Sequence, residues 1–368
     1  MRPRNDSSCG HDRGKLTGSW NRIAHAYTVC AEVMNAAYPN HITEPTAWTP
    51  DEFRDSDVWI RHFTDAEVAE LLQAAETTGH QTLYGVSRER FPLPTLAAVL
   101  DEIAHELEHG RGFIMLRGLP VEDLSRATID AVYAGIGLHL GRVITQNSAG
   151  ARLGEVTDRG TDYGRQGNRG HTSNGQILPH CDSSDVVGLL CVASAAHGGE
   201  SQIASATTVY NRIMAEHPEL IEPLARGFRI NLAGKGPTGD PQECTRATIP
   251  VFSYFAGRMS CRYNRKQIED GARFLGNELS QLEREAISAV GELAMREDVR
   301  LDMNFQPGDI QLLNNHCILH ARAGYQDSGR QKRLLLRMWI NTYNSRKLAP
   351  DFADRLNTGP RGEVAVRQ

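Results

Sequence analysis

Between residues 177 and 342 the chain runs as short, apolar, extended-looking segments (177–180, 186–194, 249–254, 310–315 and 333–342). Turn clusters such as His197-Gly198-Gly199 and Gln306-Pro307-Gly308-Asp309 cut them apart. Many short strands punctuated by glycine and proline predict a sandwich or a barrel. The residues ahead of them read differently. Thr64 followed by Glu67 is a capping-box pattern, and Val68, Leu71, Leu72 and Ala75 then recur at helical spacing up to Thr78. Pro94 and Thr95 open a second helix, with Leu96, Val99, Leu100, Ile103 and Leu107 on one face and Gly110 as its stop. A short strand over 112–116 and a third helix over about 126–140 follow, and Ser280 with Glu283 caps another helix that ends near Met295. The expected class is a mixed α/β fold with a mainly β core flanked by helices.

At 368 residues the chain is long enough for one large core. The expected organisation is a loosely ordered extension over 1–45, which could precede an internal start at Met34, one catalytic domain over 46–350, and a tail over 351–368. Within the domain, 262–300 reads as a helical insert. Residues 158–176 turn polar and glycine-rich, with Arg159, Arg165, Arg169 and His171, and read either as a lid or as plain surface loop. A formal charge of only -5 and no long basic run give no footing for a nucleic-acid partner, which leaves a small-molecule substrate. Seven scattered cysteines, odd in number and never spaced Cys-x-x-Cys, point to a reducing, cytoplasmic setting rather than a disulfide framework or structural zinc. The longest apolar stretch, 186–196, falls far short of the roughly 20 residues a membrane span needs. The first fifteen residues lack the apolar stretch of a secretory signal, and an organellar presequence and self-association of the chain are left open.

The chemistry concentrates in His180-Cys181-Asp182. In extended backbone residues i and i+2 share a face, so the imidazole and the carboxylate can grip one metal while Cys181 points away. A third ligand has to come from elsewhere, and 314–320, with His316 and His320, offers candidates. Two histidines and one carboxylate on one side of a metal leave positions open for a bidentate cosubstrate and O2, which suits Fe(II) better than the closed tetrahedron zinc prefers. By itself His-x-Asp arises often by chance, and a lone histidine is more commonly a core or surface residue. What strengthens it is Arg333, thirteen residues after His320, with Arg337 four further on in an apolar run. A buried arginine there needs an anionic partner, and a dicarboxylate cosubstrate is one such partner.

In order, the segments Leu178-Pro-His-Cys-Asp182, Asp185-Val-Val-Gly-Leu-Leu190, Gly198-Gly-Glu-Ser201, Pro307-Gly-Asp309, Asn314-Asn-His-Cys-Ile-Leu-His320-Ala-Arg322 and 333–339 resemble the taurine dioxygenase (TauD/TfdA) family of Fe(II)- and 2-oxoglutarate-dependent dioxygenases. The resemblance spans roughly residues 110 to 350 and implies a double-stranded β-helix, a cupin-like jelly roll, flanked by helices. It implies iron held by His180, Asp182 and His320, with His316 a partly buried bystander. It further implies Arg333 on the distal carboxylate of 2-oxoglutarate, aided by Ser201, which stands where the family usually has threonine. Arg337 shares the strand face of Arg333. By resemblance it reaches an acidic group on the substrate, and the bland alternative is a salt bridge at the barrel mouth. Gln146, Asn147 and Gln176 are polar candidates for the substrate pocket, with solvated turn residues as the alternative. The Gly-rich run 234–239 lacks the spacing of a phosphate loop and reads as a turn.

The implied reaction couples decarboxylation of 2-oxoglutarate, with O2, to oxidation of an unactivated C–H bond, releasing succinate and CO2. Hydroxylation is the default, with desaturation or cyclisation as branches, and the expected substrate is a small acid such as an amino acid. Two other classes stay in view: a non-catalytic jelly-roll protein that binds a small ligand or metal, and a zinc hydrolase using the same three ligands. The first gives no reason for Arg333 in an apolar strand beside Ser201.

Overall fold

The computed structural model describes residues 38–78, 87–161, 170–329 and 331–367. Met34 and most of the N-terminal extension, and residues 162–169 in the middle of the expected lid, lie outside the described residues. Residues 1–40 are a unit of their own, and 41–368 form a second, compact one.

Eight α-helices are described: α1 (Asp65–Thr77), α2 (Leu96–His109), α3 (Arg126–Leu140), α4 (Ala206–Glu216), α5 (Ile221–Arg226), α6 (Arg265–Phe274), α7 (Gln281–Ala294) and α8 (Pro350–Ala353). Those with a clear start signal begin where the sequence places them. The Thr64 side chain accepts from the Glu67 backbone N–H while the Glu67 carboxylate takes the Thr64 N–H at 2.9 Å, and Ser280 and Glu283 repeat the arrangement on α7. Helix α6 falls, with α7, inside the expected helical insert over 262–300, whereas α4 was not expected: its buried side mixes Val209, Tyr210 and Ile213 with Thr207 and Thr208 and carries no clear apolar stripe.

The strands are β1 (Ile60–His62), β2 (Phe113–Arg117), β3 (Gly141–Ile144), β4 (Leu153–Val156), β5 (Ile177–His180), β6 (Val186–Ala193), β7 (His197–Gly198), β8 (Ser201–Ser205), β9 (Phe252–Phe255), β10 (Arg258–Cys261), β11 (Arg300–Met303), β12 (Ile310–Asn314), β13 (Ile318–Arg322), β14 (Tyr325–Gln326) and β15 (Leu334–Thr342). The expected strand over 249–254 starts later, as β9, because Ile249 and Val251 give their N–H groups to the carbonyls of Phe228 and Leu224.

A large sheet runs β1-β2-β12-β6-β15-β3, with β4 also on β15, and a smaller one runs β11-β8-β13-β5. Alternation along β15 divides the molecule. Leu336, Met338 and Ile340 face a cluster completed by Leu71, Leu100 and Ile136 of α1, α2 and α3. Trp339, on the other face, joins Phe113, Val187 and Leu313 of its own sheet and Ile203, Leu301, Met303 and Ile318 of the smaller one, so a second core lies between the two sheets. Leu335 and Arg337, on that same inner face, line a cavity instead. Residues 351–367 do not trail off as a tail, since Leu356 and Val364 belong to the inter-sheet core and Phe352 is buried. They are isolated apolar residues in a polar, Gly- and Pro-punctuated stretch, which hid them in the sequence.

Candidate metal centre

Antiparallel pairing of β5 with β13 sets His180 directly opposite His320. Their rings lie 4.2 Å apart between centroids, tilted by 50°. Asp182 sits two residues past the end of β5, so its placement rests on side chains rather than on the strand. Asn315, in the turn between β12 and β13, accepts the Asp182 N–H at 2.9 Å and donates to the Ser184 carbonyl at 3.1 Å. The indole N–H of Trp339 donates to Asp182 Oδ2 at 3.0 Å. One ligating atom from each of His180, Asp182 and His320 then lies within 4.8 Å of the others. No hydrogen bond joins the three, and His320 Nδ1 is buried without a partner.

The charge states suit a cation. Burial alone would raise the Asp182 carboxyl, but Arg337, the two imidazoles and Lys235 outweigh it and hold the group well below the usual carboxylate range. Burial pushes His320 down to about 3, helped by the neighbouring His180, and burial lowers His180 too. Near neutral pH the set is therefore one carboxylate and two neutral imidazoles, the form in which these groups ligate metals. His180 Nδ1 lies 3.0 Å from the Leu178 carbonyl, which leaves Nε2 to carry the lone pair when Nδ1 is the donor.

A cavity of about 190 Å³ opens on these ligands and is also lined by Ser201, Arg333 and Arg337. Arg333 is 4% exposed. Its Nη2 donates to the Gly199 carbonyl at 3.3 Å, its Nη1 is buried with no partner, and among the described residues no carboxylate pairs with it. Ser201 Oγ lies 3.0 Å from the amide nitrogen and 3.1 Å from the amide oxygen of Gln311.

Arg337 lines the cavity with its Nη1 3.7 Å from Asp182 Oδ2, so it makes the ion pair foreseen as the bland alternative and still faces the site. Gln146 is placed differently from expectation. It is absent from the cavity lining, accepts Arg337 Nε at 2.7 Å, and donates to the carbonyls of Arg152 and Arg337 at 2.7 and 2.8 Å. Asn147 lies outside the lining as well, its Oδ1 closing a turn onto the N–H groups of Ala149 and Ala151, and Gln176 is exposed outside it. His316 is fully buried, its Nε2 3.0 Å from Asp185 Oδ1, which also takes Arg355 Nη2 at 3.0 Å. Cys181 Sγ turns to the Ile318 carbonyl. Lys235 is the residue that the sequence hid. It projects from the Gly-rich turn to the cavity, with Nζ 5.0 Å from the centre of the Trp339 ring, and a single lysine in a turn carries no periodicity or motif to flag it.

The family described as "Taurine catabolism dioxygenase TauD, TfdA family" matches residues 73–339. The chain belongs to the TauD/TfdA family. Similar members include FR-33289 synthase from Streptomyces rubellomurinus (strain ATCC 31215), 34% identical over 83% of this chain and 92% of that protein. Another is the taurine hydroxylase-like protein SAT17 from Stachybotrys chartarum (strain CBS 109288 / IBT 7711), 28% identical over 77% of this chain and 75% of that protein. Solved structures with a similar fold include two iron oxygenases. Asparagine oxygenase in complex with Fe(II), 2S,3S-3-hydroxyasparagine and succinate aligns with a TM-score of 0.59 at 16% identity, over 77% of this chain and 93% of that one. The non-heme iron oxygenase OrfP with Fe and alpha-ketoglutaric acid gives 0.55 at 14% identity, over 79% and 99%. This TauD/TfdA dioxygenase contains no helix, among its described residues, long and apolar enough to cross a membrane.

Proposed function

We propose that this dioxygenase uses Fe(II) and 2-oxoglutarate to oxidise an unactivated C–H bond of a small, carboxylate-bearing metabolite, and that its two facing sheets are a double-stranded β-helix. The observation that carries the reading is the pairing, in one cavity, of a His/Asp/His face with a buried guanidinium that lacks a counter-charge. A buried cation without a partner is costly, and the distal carboxylate of a 2-oxo diacid supplies that partner.

His180, Asp182 and His320 would hold the metal on one side. Bound there with 2-oxoglutarate and O2, iron supplies the oxidation of the C–H bond, with release of succinate and CO2. The protein's own part is placement. Arg333 Nη1 donates to the distal carboxylate. Ser201 Oγ donates a second hydrogen bond when the Gln311 amide nitrogen faces Ser201, because the hydroxyl proton is then free to turn to the ligand. Arg337, held by Gln146, offers its remaining N–H groups to an acidic group on the substrate. Apolar walls from Val187, Leu189, Leu335 and Phe305 exclude water from the target carbon. The fold neighbours described with hydroxylated amino acids favour hydroxylation of an amino acid or a similar acid.

The test is incubation of anaerobically purified protein with Fe(II), 2-oxoglutarate, O2 and a panel of small acids, following succinate and the oxidised product. Succinate formation that requires Fe(II) and is lost in His320→Ala is the expected result. No succinate under any condition, with His320→Ala holding as much iron as wild type, would overturn the reading.

A further inference from the structure

Beside the cavity, Tyr325 on β14 packs against two cavity-lining guanidiniums. The centre of its ring lies 4.8 Å from Arg322 Cζ and 5.1 Å from Arg333 Cζ. The ring is 5% exposed and is not part of the cavity wall. We propose that Tyr325 is a positioning residue for the cosubstrate, its π face holding Arg333 with Nη1 turned to the cavity; the proposal rests on the assignment of Arg333 to the 2-oxoglutarate carboxylate.

Three observations carry it. Arg333 has few other restraints on its head, since the single Nη2 bond to the Gly199 carbonyl is long at 3.3 Å and Nη1 has no partner. An aromatic face a few ångströms from a desolvated guanidinium is attractive and fixes its plane. Second, the backbone makes room for this contact. Gly199, at φ +83°, would bring a Cβ to 3.1 Å from Arg333 Nε and 3.2 Å from Tyr325 Cβ, so a side chain there would press on both residues at once. Third, Tyr325 is held in place by its backbone and by its neighbour. The Tyr325 N–H donates to the Asn174 carbonyl at 3.0 Å, and Arg322, against which Tyr325 packs, donates to the carbonyls of Ser173 and Gly175. The phenol oxygen is buried without a hydrogen-bond partner, so the ring face and not the hydroxyl is the working part.

The experiment compares binding of 2-oxoglutarate with that of oxalate to the Fe(II)-loaded protein under anaerobic conditions, by calorimetry. Oxalate offers a metal a similar two-oxygen chelate but has no distal carboxylate for Arg333. Tyr325→Leu should weaken 2-oxoglutarate about tenfold or more and leave oxalate within about twofold, while Tyr325→Phe keeps both within about threefold of wild type. Unchanged 2-oxoglutarate binding in Tyr325→Leu, equal weakening of both ligands, or Tyr325→Phe behaving like Tyr325→Leu would overturn the proposal. Arg333→Gln is the separate control: if it binds 2-oxoglutarate as tightly as wild type, the cosubstrate assignment itself fails.

Discussion

At the scale of single residues, the site depends on side chains that hold other side chains. Gln146 spends both halves of its amide, the oxygen on Arg337 Nε and the nitrogen on two carbonyls. Gln146→Leu leaves Arg337 Nε unpaired beside an apolar group. KM for the primary substrate should rise about tenfold while the affinity for 2-oxoglutarate stays at the wild-type value; kinetics with each ligand varied in turn check this. Asp182→Asn removes the one anionic ligand while keeping its shape, and iron retained after desalting should fall to about a tenth of wild type or less. A variant that keeps its iron would remove Asp182 from the ligand set. His180, Asp182 and His320 were legible because a metal site needs few residue types in a fixed order. The role of Gln146 was not, because an amide that points at an arginine reads the same in sequence as one that points at solvent.

Among the elements, the capping-box helices and the apolar strands β5, β6, β12 and β15 were readable, whereas α4, despite its Ser205 cap, and the short strands β8 and β11 were not. The caps at Thr64 and Ser280 marked α1 and α7. Strands as short as β8, β11 and β13 are each four or five residues long and acquire their identity by pairing with one another. Gly188 illustrates a positional demand visible only in the assembled sheet. It lies in β6, and a Cβ there would come within 2.5 Å of Tyr133 Oη on α3 and 3.2 Å of Leu312 on β12. Gly188→Ala should therefore destabilise the protein by about 2 kcal/mol, through displacement of α3 from the sheet. Urea unfolding of the metal-free protein measures it, and an unchanged midpoint would show that α3 yields without cost.

For the molecule as a whole, the buried cluster of His316, Asp185 and Arg355 links stability to pH. Burial pushes His316 down to about 4, against the opposing pull of Asp185. In the unfolded chain a histidine titrates near 6.5, so on acidification the unfolded state takes up this proton first. The contribution is fully present above about pH 6.5 and is lost as the pH falls toward 4. It amounts to something on the order of 3 kcal/mol over that window. Thermal melts of the metal-free protein should drop across this range, and His316→Gln should flatten the dependence by about one proton. The layered arrangement was foreseeable from alternation and punctuation, but the return of Leu356 and Val364 to the inter-sheet core was not, since long-range closure leaves no local period. The register that sets His180 against His320 also has a consequence in time. During synthesis, a chain that has emerged only as far as β12 carries His180 and Asp182 yet has no third ligand, and β13 must still enter between β8 and β5. On the proposed ligand set the iron site is complete only once β13 has paired, so metal content would serve as a report on completed folding.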